Sequence, residues 1–434
     1  MIYSGSHWPR VLTLALCCGL SATAQALDIS AIVGYSAEYN DNPLRLPTGG
    51  ESEIIHRPLV NLSVGHDDRN LSADANYRTY RRIHSKSDGR DDTVVEGTGS
   101  LNWVSSRDVL ELQVSNTETV RTLSAQENDG PDNRQQVSRS TGSATLRLPG
   151  FANQYFTLAS AASVIDAERS NTNSTRYIQD LRYNIPLINE GVFSIGIGHT
   201  DVDFDNQSVP DYTQETASVL LTSSRGSISY SVNFALTEVD LEGPLDTLDL
   251  ETGSIDLAWA RSADTSISFR VSRSVSDNSL GREFRTTGEN FRDEFIDNSS
   301  TNALFIEERA AVTLQTRVGR NQVAFQVAAY DTDYVEFDVN DEERLSLSLN
   351  VSRELTGRLR MGFRAAYADL DFLAIDRVDT DTDVDVNFKY TSNPKLEFGL
   401  SLGYFERNSD LFSIPDIDGY SAIFSVNYRL LGRG

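Results

Sequence analysis

Along most of this chain, apolar side chains fall on every second residue. In SISYSVNFAL, residues 227–236, Ile228, Tyr230, Val232, Phe234 and Leu236 alternate with Ser227, Ser229, Ser231 and Asn233. An extended strand sends successive side chains to opposite faces, so this segment predicts a strand with one oily face and one wet face. The pattern recurs at Ile29, Ala31, Val33, Tyr35; at Val323, Phe325, Val327; at Leu359, Met361, Phe363; and at Phe424, Val426, Tyr428. No stretch beyond the N-terminus sustains a 3.6-residue period, so no helix is predicted there. Residues 154–165 and 303–316 are ambiguous in phase. Residues 248–259 switch face between Leu250 and Ile255, which predicts a bulge near Thr252.

The connections add an order of their own. Short turns at 67–70, 105–108, 149–154, 187–191, 223–226, 262–265, 319–322, 355–358 and 391–395 alternate with longer polar loops near 41–53, 83–91, 124–134, 166–173, 200–211, 239–247, 276–301, 331–342, 370–381 and 406–418. The segments between them number about 20, within a range of 18 to 22. Tight turns at one end and long loops at the other are the habit of bacterial outer-membrane barrels.

The polar faces decide the surroundings. Ser72, Asp74, Asn76, Arg78 and Arg82 share one face, as do Asp383, Asp385, Asn387 and Lys389. Such faces cannot pack into a dry core, because an unpaired buried charge costs too much. Lipid outside and a hydrated lumen inside satisfy both faces of every strand, and closure removes edges that lipid would not tolerate. The expected fold is therefore all-β: a transmembrane antiparallel up-and-down barrel of residues 27–434. Tyr35, Tyr39, Tyr367, Tyr390, Tyr404 and Tyr428, near strand ends, suit the lipid headgroup level.

Composition fits this picture. Only 39% of the 434 residues are hydrophobic, and mean hydropathy is −0.35. No apolar run is long enough for a membrane helix. Residues 1–26 read as a secretory leader: Arg10, an apolar run over 11–20, and the Ala24-Gln25-Ala26 cleavage site. Both cysteines, Cys17 and Cys18, lie in that leader, so disulfides and thiolate metal sites are not expected in the exported chain. The first strand starts close to Leu27, leaving no room for an N-terminal plug. Removing Arg10 takes the net charge from −25 to −26, which argues against a nucleic-acid partner. Only Lys86, Lys389 and Lys395 are lysines; the other 35 basic residues are arginine, whose rigid donor fork suits a pore wall.

Candidate chemistry is sparse. Arg78, Arg82, Arg182, Arg270, Arg360 and Arg364 fall on the wet faces and are candidates to line a substrate path. Pairing with carboxylates such as Asp74, Asp180 and Glu397 is the structural alternative. The longest loop, 276–301, mixes Arg282, Arg285 and Arg292 with Phe284, Phe291 and Phe295, groups that could narrow the mouth and grip a sugar chain. Asp331, Asp333, Asp338 and Asp341 are weak Ca²⁺ candidates without EF-hand spacing; a solvated acidic loop is the plainer reading. His199 lies near Asp201 and Asp203, but no hydrolase motif accompanies it, so no catalytic residue and no cofactor are expected.

A first strand ending YNDNPL (39–44) directly after the leader, and hairpin phrases such as ELTGRLRMGFRAAY (354–367), resemble the beta-barrel porin 2 family of Gram-negative outer-membrane proteins. That family is associated with capsule and exopolysaccharide systems and has no catalytic residues to carry over. The resemblance implies a pore for export or assembly of polysaccharide, with outer-membrane lipid, lipopolysaccharide and a polysaccharide as partners. A general or sugar-specific diffusion porin is the alternative within transport. A surface or adhesion barrel with acidic outer loops is the alternative outside it.

Overall fold

The computed structural model describes residues 27–432 apart from 44, 46–50, 87–90, 123–133, 170–172, 189, 207–209, 243–246, 278–303, 336–340 and 412–415. The leader and its cysteines, and the six Arg and Phe candidates of the longest loop, lie outside the described residues.

Twenty strands form one sheet. They are β1 (Asp28–Asn40), β2 (Glu53–Asp67), β3 (Leu71–His84), β4 (Asp92–Val104), β5 (Leu110–Thr122), β6 (Arg134–Pro149), β7 (Tyr155–Ala167), β8 (Ser174–Pro186), β9 (Gly191–Phe204) and β10 (Tyr212–Arg225). The second half comprises β11 (Ile228–Leu241), β12 (Leu248–Ser262), β13 (Thr265–Asp277), β14 (Leu304–Val318), β15 (Asn321–Tyr334), β16 (Glu342–Glu354), β17 (Leu359–Phe372), β18 (Arg377–Asn393), β19 (Leu396–Ser409) and β20 (Ile417–Leu431). Each strand pairs antiparallel with its sequence neighbours. β1 also pairs with β20, matching Val33 with Tyr428 and Tyr39 with Ala422, so the sheet closes into a barrel.

The YNDN phrase fastens that closure. The Asn42 side-chain amide donates to the Asp418 carbonyl at 3.0 Å, and the Tyr420 amide donates to Asp41 Oδ1 at 2.6 Å. Asn42 is buried. The motif thus ties the end of β1 to the start of β20.

The lower part of the wall, next to the short turns, follows the expected alternation. On β11, Ile228, Tyr230, Val232, Phe234 and Leu236 point outward and are exposed to the surroundings. Neighbouring outward rows carry Ile195 and Ile197 on β9, Ile255 and Leu257 on β12, and Leu400 and Leu402 on β19. About nine residues per strand, tilted as barrel strands are, give an apolar band of roughly 20–25 Å, the height an outer membrane requires. Tyr390 and Tyr428 sit toward its lower margin and Tyr35, Tyr367 and Tyr404 toward its upper one, with Tyr39 above them. The protein is an outer-membrane β-barrel.

Above the band the polarity of the two faces exchanges while the backbone alternation continues. On β11, Glu238 and Asp240 now point outward, and Val239 and Leu241 point inward and are buried. On β9, Asp201 and Asp203 face out while Val202 and Phe204 are buried inside. On β17, Asp369 and Asp371 face out over buried Leu370 and Phe372. Water replaces lipid outside at this height, so charge is tolerated there, and the apolar residues gain by packing inward.

This exchange corrects several sequence expectations. The stretches at 200–204, 239–241, 331–334 and 377–381, expected to be loops, are strand tips. Their acids occupy every second position because the strand continues. The connection between β17 and β18 shrinks to a short turn containing a single 3-10 turn, Leu373–Ile375, where no helix was expected. No bulge occurs near Thr252: β11 and β12 stay in register from Leu248 to Trp259. Leu250 and Ile255 lie on opposite faces because the former packs inside the upper wall and the latter meets lipid. The ambiguity at 303–316 has the same origin. In β14, Glu308 faces out beside Arg273 Nη1 at 3.2 Å, and Arg309 faces in.

Candidate functional site

The interior of the upper wall divides into two sectors. From β9 to β14 it is apolar. Val202, Phe204, Tyr212, Val239, Leu241 and Leu304 form one buried cluster, with Leu248, Leu250, Val275 and Val335 packed against it. Phe305 and Tyr334 adjoin, their ring centroids 5.4 Å apart.

One contact shows how far this sector folds inward. The Arg176 guanidinium on β8 is paired with Asp277 at the end of β13. The Tyr212 hydroxyl donates to the same carboxylate at 2.7 Å, and Arg176 Nη1 donates to the Tyr212 oxygen at 3.3 Å. In a circular ring of twenty strands, β8 and β13 would stand on the order of 25 Å apart. Two side chains cannot span that distance, so the wall bends in and the contact roofs this side of the lumen. All three groups are buried, where a shared, fully partnered charge pair is tolerated.

From β18 around to β4 the upper interior is ionic instead. Arg377 Nε donates to Asp379 Oδ1 at 2.8 Å, and Arg407 grips Asp381 through Nε at 2.7 Å and Nη2 at 2.9 Å. Glu38 meets Arg57, and His84 Nδ1 lies 3.1 Å from Glu53. Arg82 Nε donates to Asp92 at 2.7 Å.

Beneath the apolar roof lies a cavity of about 910 Å³ that faces the lumen between β10 and β15. Ser229 and Ser231 of the opening segment line it, together with Ser268, Ser274, Thr313 and Gln326. Hydroxyls dominate because these are the inward positions of β11, β13 and β14. The volume is within the range of small-molecule sites.

The sequence-derived arginines stand in or above the lumen, each on an inward face. Arg78 pairs with Glu96 at 2.7 Å and lies over the Tyr80 ring. Arg182 pairs with Asp180 at 2.7 Å, Arg270 with Asp256, and Arg360 with Glu354 at 3.3 Å. Arg82 is held by Asp92, as above, and Arg364 has interactions of its own. Of these six, the cavity includes Arg270 alone. Glu397, expected beside an arginine, takes Lys389 Nζ at 3.0 Å instead. These pairs neutralise the wall locally.

Arg309 is different, and sequence reading passed over it. It lines the cavity, and its guanidinium carbon sits 5.2 Å from the centre of the Tyr330 ring. Among the described residues it has no carboxylate in ion-pair range, which sets it apart from Arg270 in the same cavity. The signal was present in Glu307-Glu308-Arg309, where two acids and a base fall on adjacent positions. The phase of β14 had to be known before any of them could be assigned a side.

The remaining candidates do not assemble. Asp331 and Asp333 project outward above the band, Asp341 Oδ1 accepts the Tyr334 amide at 2.7 Å, and Asp338 lies outside the described residues. Among the described residues no three His, Cys, Asp or Glu side chains gather to hold a metal. His199 points outward, with Glu215 at 4.0 Å.

No family model matches the chain, and no curated protein matches it. Among solved structures, the siderophore receptor PirA from Pseudomonas aeruginosa aligns at 13% identity with a TM-score of 0.46, over 95% of this chain and 82% of that one. The FrpB iron transporter from Neisseria meningitidis aligns at 9% identity and TM-score 0.49, over 94% and 83%. The anion-selective porin from Comamonas acidovorans aligns at 10% identity and TM-score 0.38, over 93% and 99%. Likenesses this distant carry no functional argument, and the barrel rests on its own register.

Proposed function

We propose that this protein is a channel for polyhydroxylated chains, serving the export or assembly of an exopolysaccharide or capsule across the outer membrane. The observation that supports it most is the hydroxyl-lined cavity set in the inward face of β11 to β14, beneath the apolar roof. Serine and threonine hydroxyls both donate and accept, which suits sugar hydroxyls in any orientation. The likeness to the beta-barrel porin 2 family in YNDNPL points the same way. The arginine–carboxylate pairs along the wall act as structural ties, and no enzymatic step is assigned.

The test is planar-bilayer recording with the purified barrel. Long linear oligosaccharides added to one side should cause resolvable current blocks whose duration grows with chain length. A barrel that conducts ions yet is indifferent to every oligosaccharide would be a general diffusion porin, and one that conducts nothing would be a surface protein.

A further inference from the structure

We infer that Arg309 anchors a subsite for the carboxylate of an acidic saccharide, held in the cavity beneath the apolar roof; this rests on the channel reading above. A guanidinium in a protein wall is ordinarily satisfied by carboxylates or carbonyls, because leaving a buried donor unpaired costs about 1–3 kcal/mol. Every other arginine singled out along this wall is engaged, as described above. Of the two arginines that line the cavity, Arg270 is paired with Asp256, whereas Arg309 has no carboxylate in ion-pair range among the described residues.

The surroundings define the ligand. Tyr330 backs the guanidinium, whose central carbon lies 5.2 Å from the ring centre, a cation–π contact that leaves the hydrogen-bonding capacity of the fork for an oxyanion. Three carboxylates share the cavity lining, Glu190, Asp256 and Glu307; Asp256 is held by Arg270, and Glu307 has interactions of its own. Ser272 is the cross-strand partner of Arg309, and Ser274, Ser268 and Thr313 line the same cavity. The Arg309 fork beside these hydroxyls suits a ligand that carries both a carboxylate and hydroxyls. A planar carboxylate takes two parallel hydrogen bonds from such a fork. The volume accommodates a short oligosaccharide segment rather than a lone ion.

Isothermal titration calorimetry on the full barrel in detergent tests this with three probes: trigalacturonate, maltotriose and inorganic phosphate. Trigalacturonate should bind at least 10-fold more tightly than maltotriose or phosphate. R309Q should bring it down to the maltotriose level, and R309K, which keeps charge but loses the fork, should fall between. Equal affinity for maltotriose and trigalacturonate in the unsubstituted protein overturns the subsite, with no variant needed. So does full retention of trigalacturonate binding by R309Q that keeps the heat-modifiable gel mobility of a folded barrel. Phosphate binding as tightly as trigalacturonate would make it a general anion site and overturn the saccharide assignment. Ion conductance in potassium chloride, recorded on the same preparations, judges the channel reading separately. A closed barrel that still binds trigalacturonate through Arg309 would sink that reading and leave the subsite standing.

Discussion

The lower and upper halves of this wall are built from the same alternating strands and obey opposite rules. Below, Leu236 turns its side chain to lipid while Thr237, next in sequence, faces the lumen. Two residues further up the same strand, Glu238 turns to water and Val239 is fully buried inside. The strand does not slip or bulge between them. Only the medium beyond the wall changes, and the sequence inverts its chemistry at that height. A β-strand specifies two faces, but what each face must be is set by the solvent it meets.

That contrast can be broken at four points, in order of expected effect. The upper interior should behave as a packed core. Phe372→Ala, which empties a fully buried site, should lower unfolding free energy by about 3–5 kcal/mol if the upper wall unfolds with the barrel. Urea titration of vesicle-reconstituted protein, read by tryptophan fluorescence, measures this. The lower exterior should behave as a lipid contact. Val232→Arg, near the middle of the apolar band, should cost about 2–4 kcal/mol in the same titration. The roof contact comes next. Tyr212→Phe deprives Asp277 and Arg176 of a buried hydroxyl and should cost about 1.5–3 kcal/mol. It should also raise single-channel conductance by loosening the fold-in between β8 and β13. Smallest is the outer face above the band, where Glu238→Arg should change stability by less than about 0.5 kcal/mol. A penalty there as large as that of Val232→Arg would mean that lipid reaches higher than the polarity exchange indicates.

The barrel itself was legible because its lower half states its environment plainly. Five alternations in 227–236 are enough to fix a strand, its phase and its lipid face. The upper half was not. DVDF at 201–204 and DLDF at 369–372 contain the same period, but with aspartate in the phase that lipid would occupy lower down. Read without knowing the height, acids in alternation suggest a solvated loop, and a face change near Thr252 suggests a bulge. Arg309 was hidden for the same reason, since its face depends on where β14 crosses from one regime to the other. The wall arginines were legible as residues facing the lumen. Which of them would be neutralised depended on cross-strand partners, such as Asp256 opposite Arg270, that only register reveals.

The pairing of β1 with β20 sets a rule for how the molecule is made. The two strands that finish the cylinder, β1 and β20, have the other eighteen between them in sequence, so their pairing is the contact of longest sequence separation in the sheet. Without that pairing the sheet would keep two open edges, which lipid does not tolerate. The Asn42–Asp418 and Asp41–Tyr420 bonds act as a clasp at that join, and a product truncated before residue 417 could neither fasten nor persist in the bilayer.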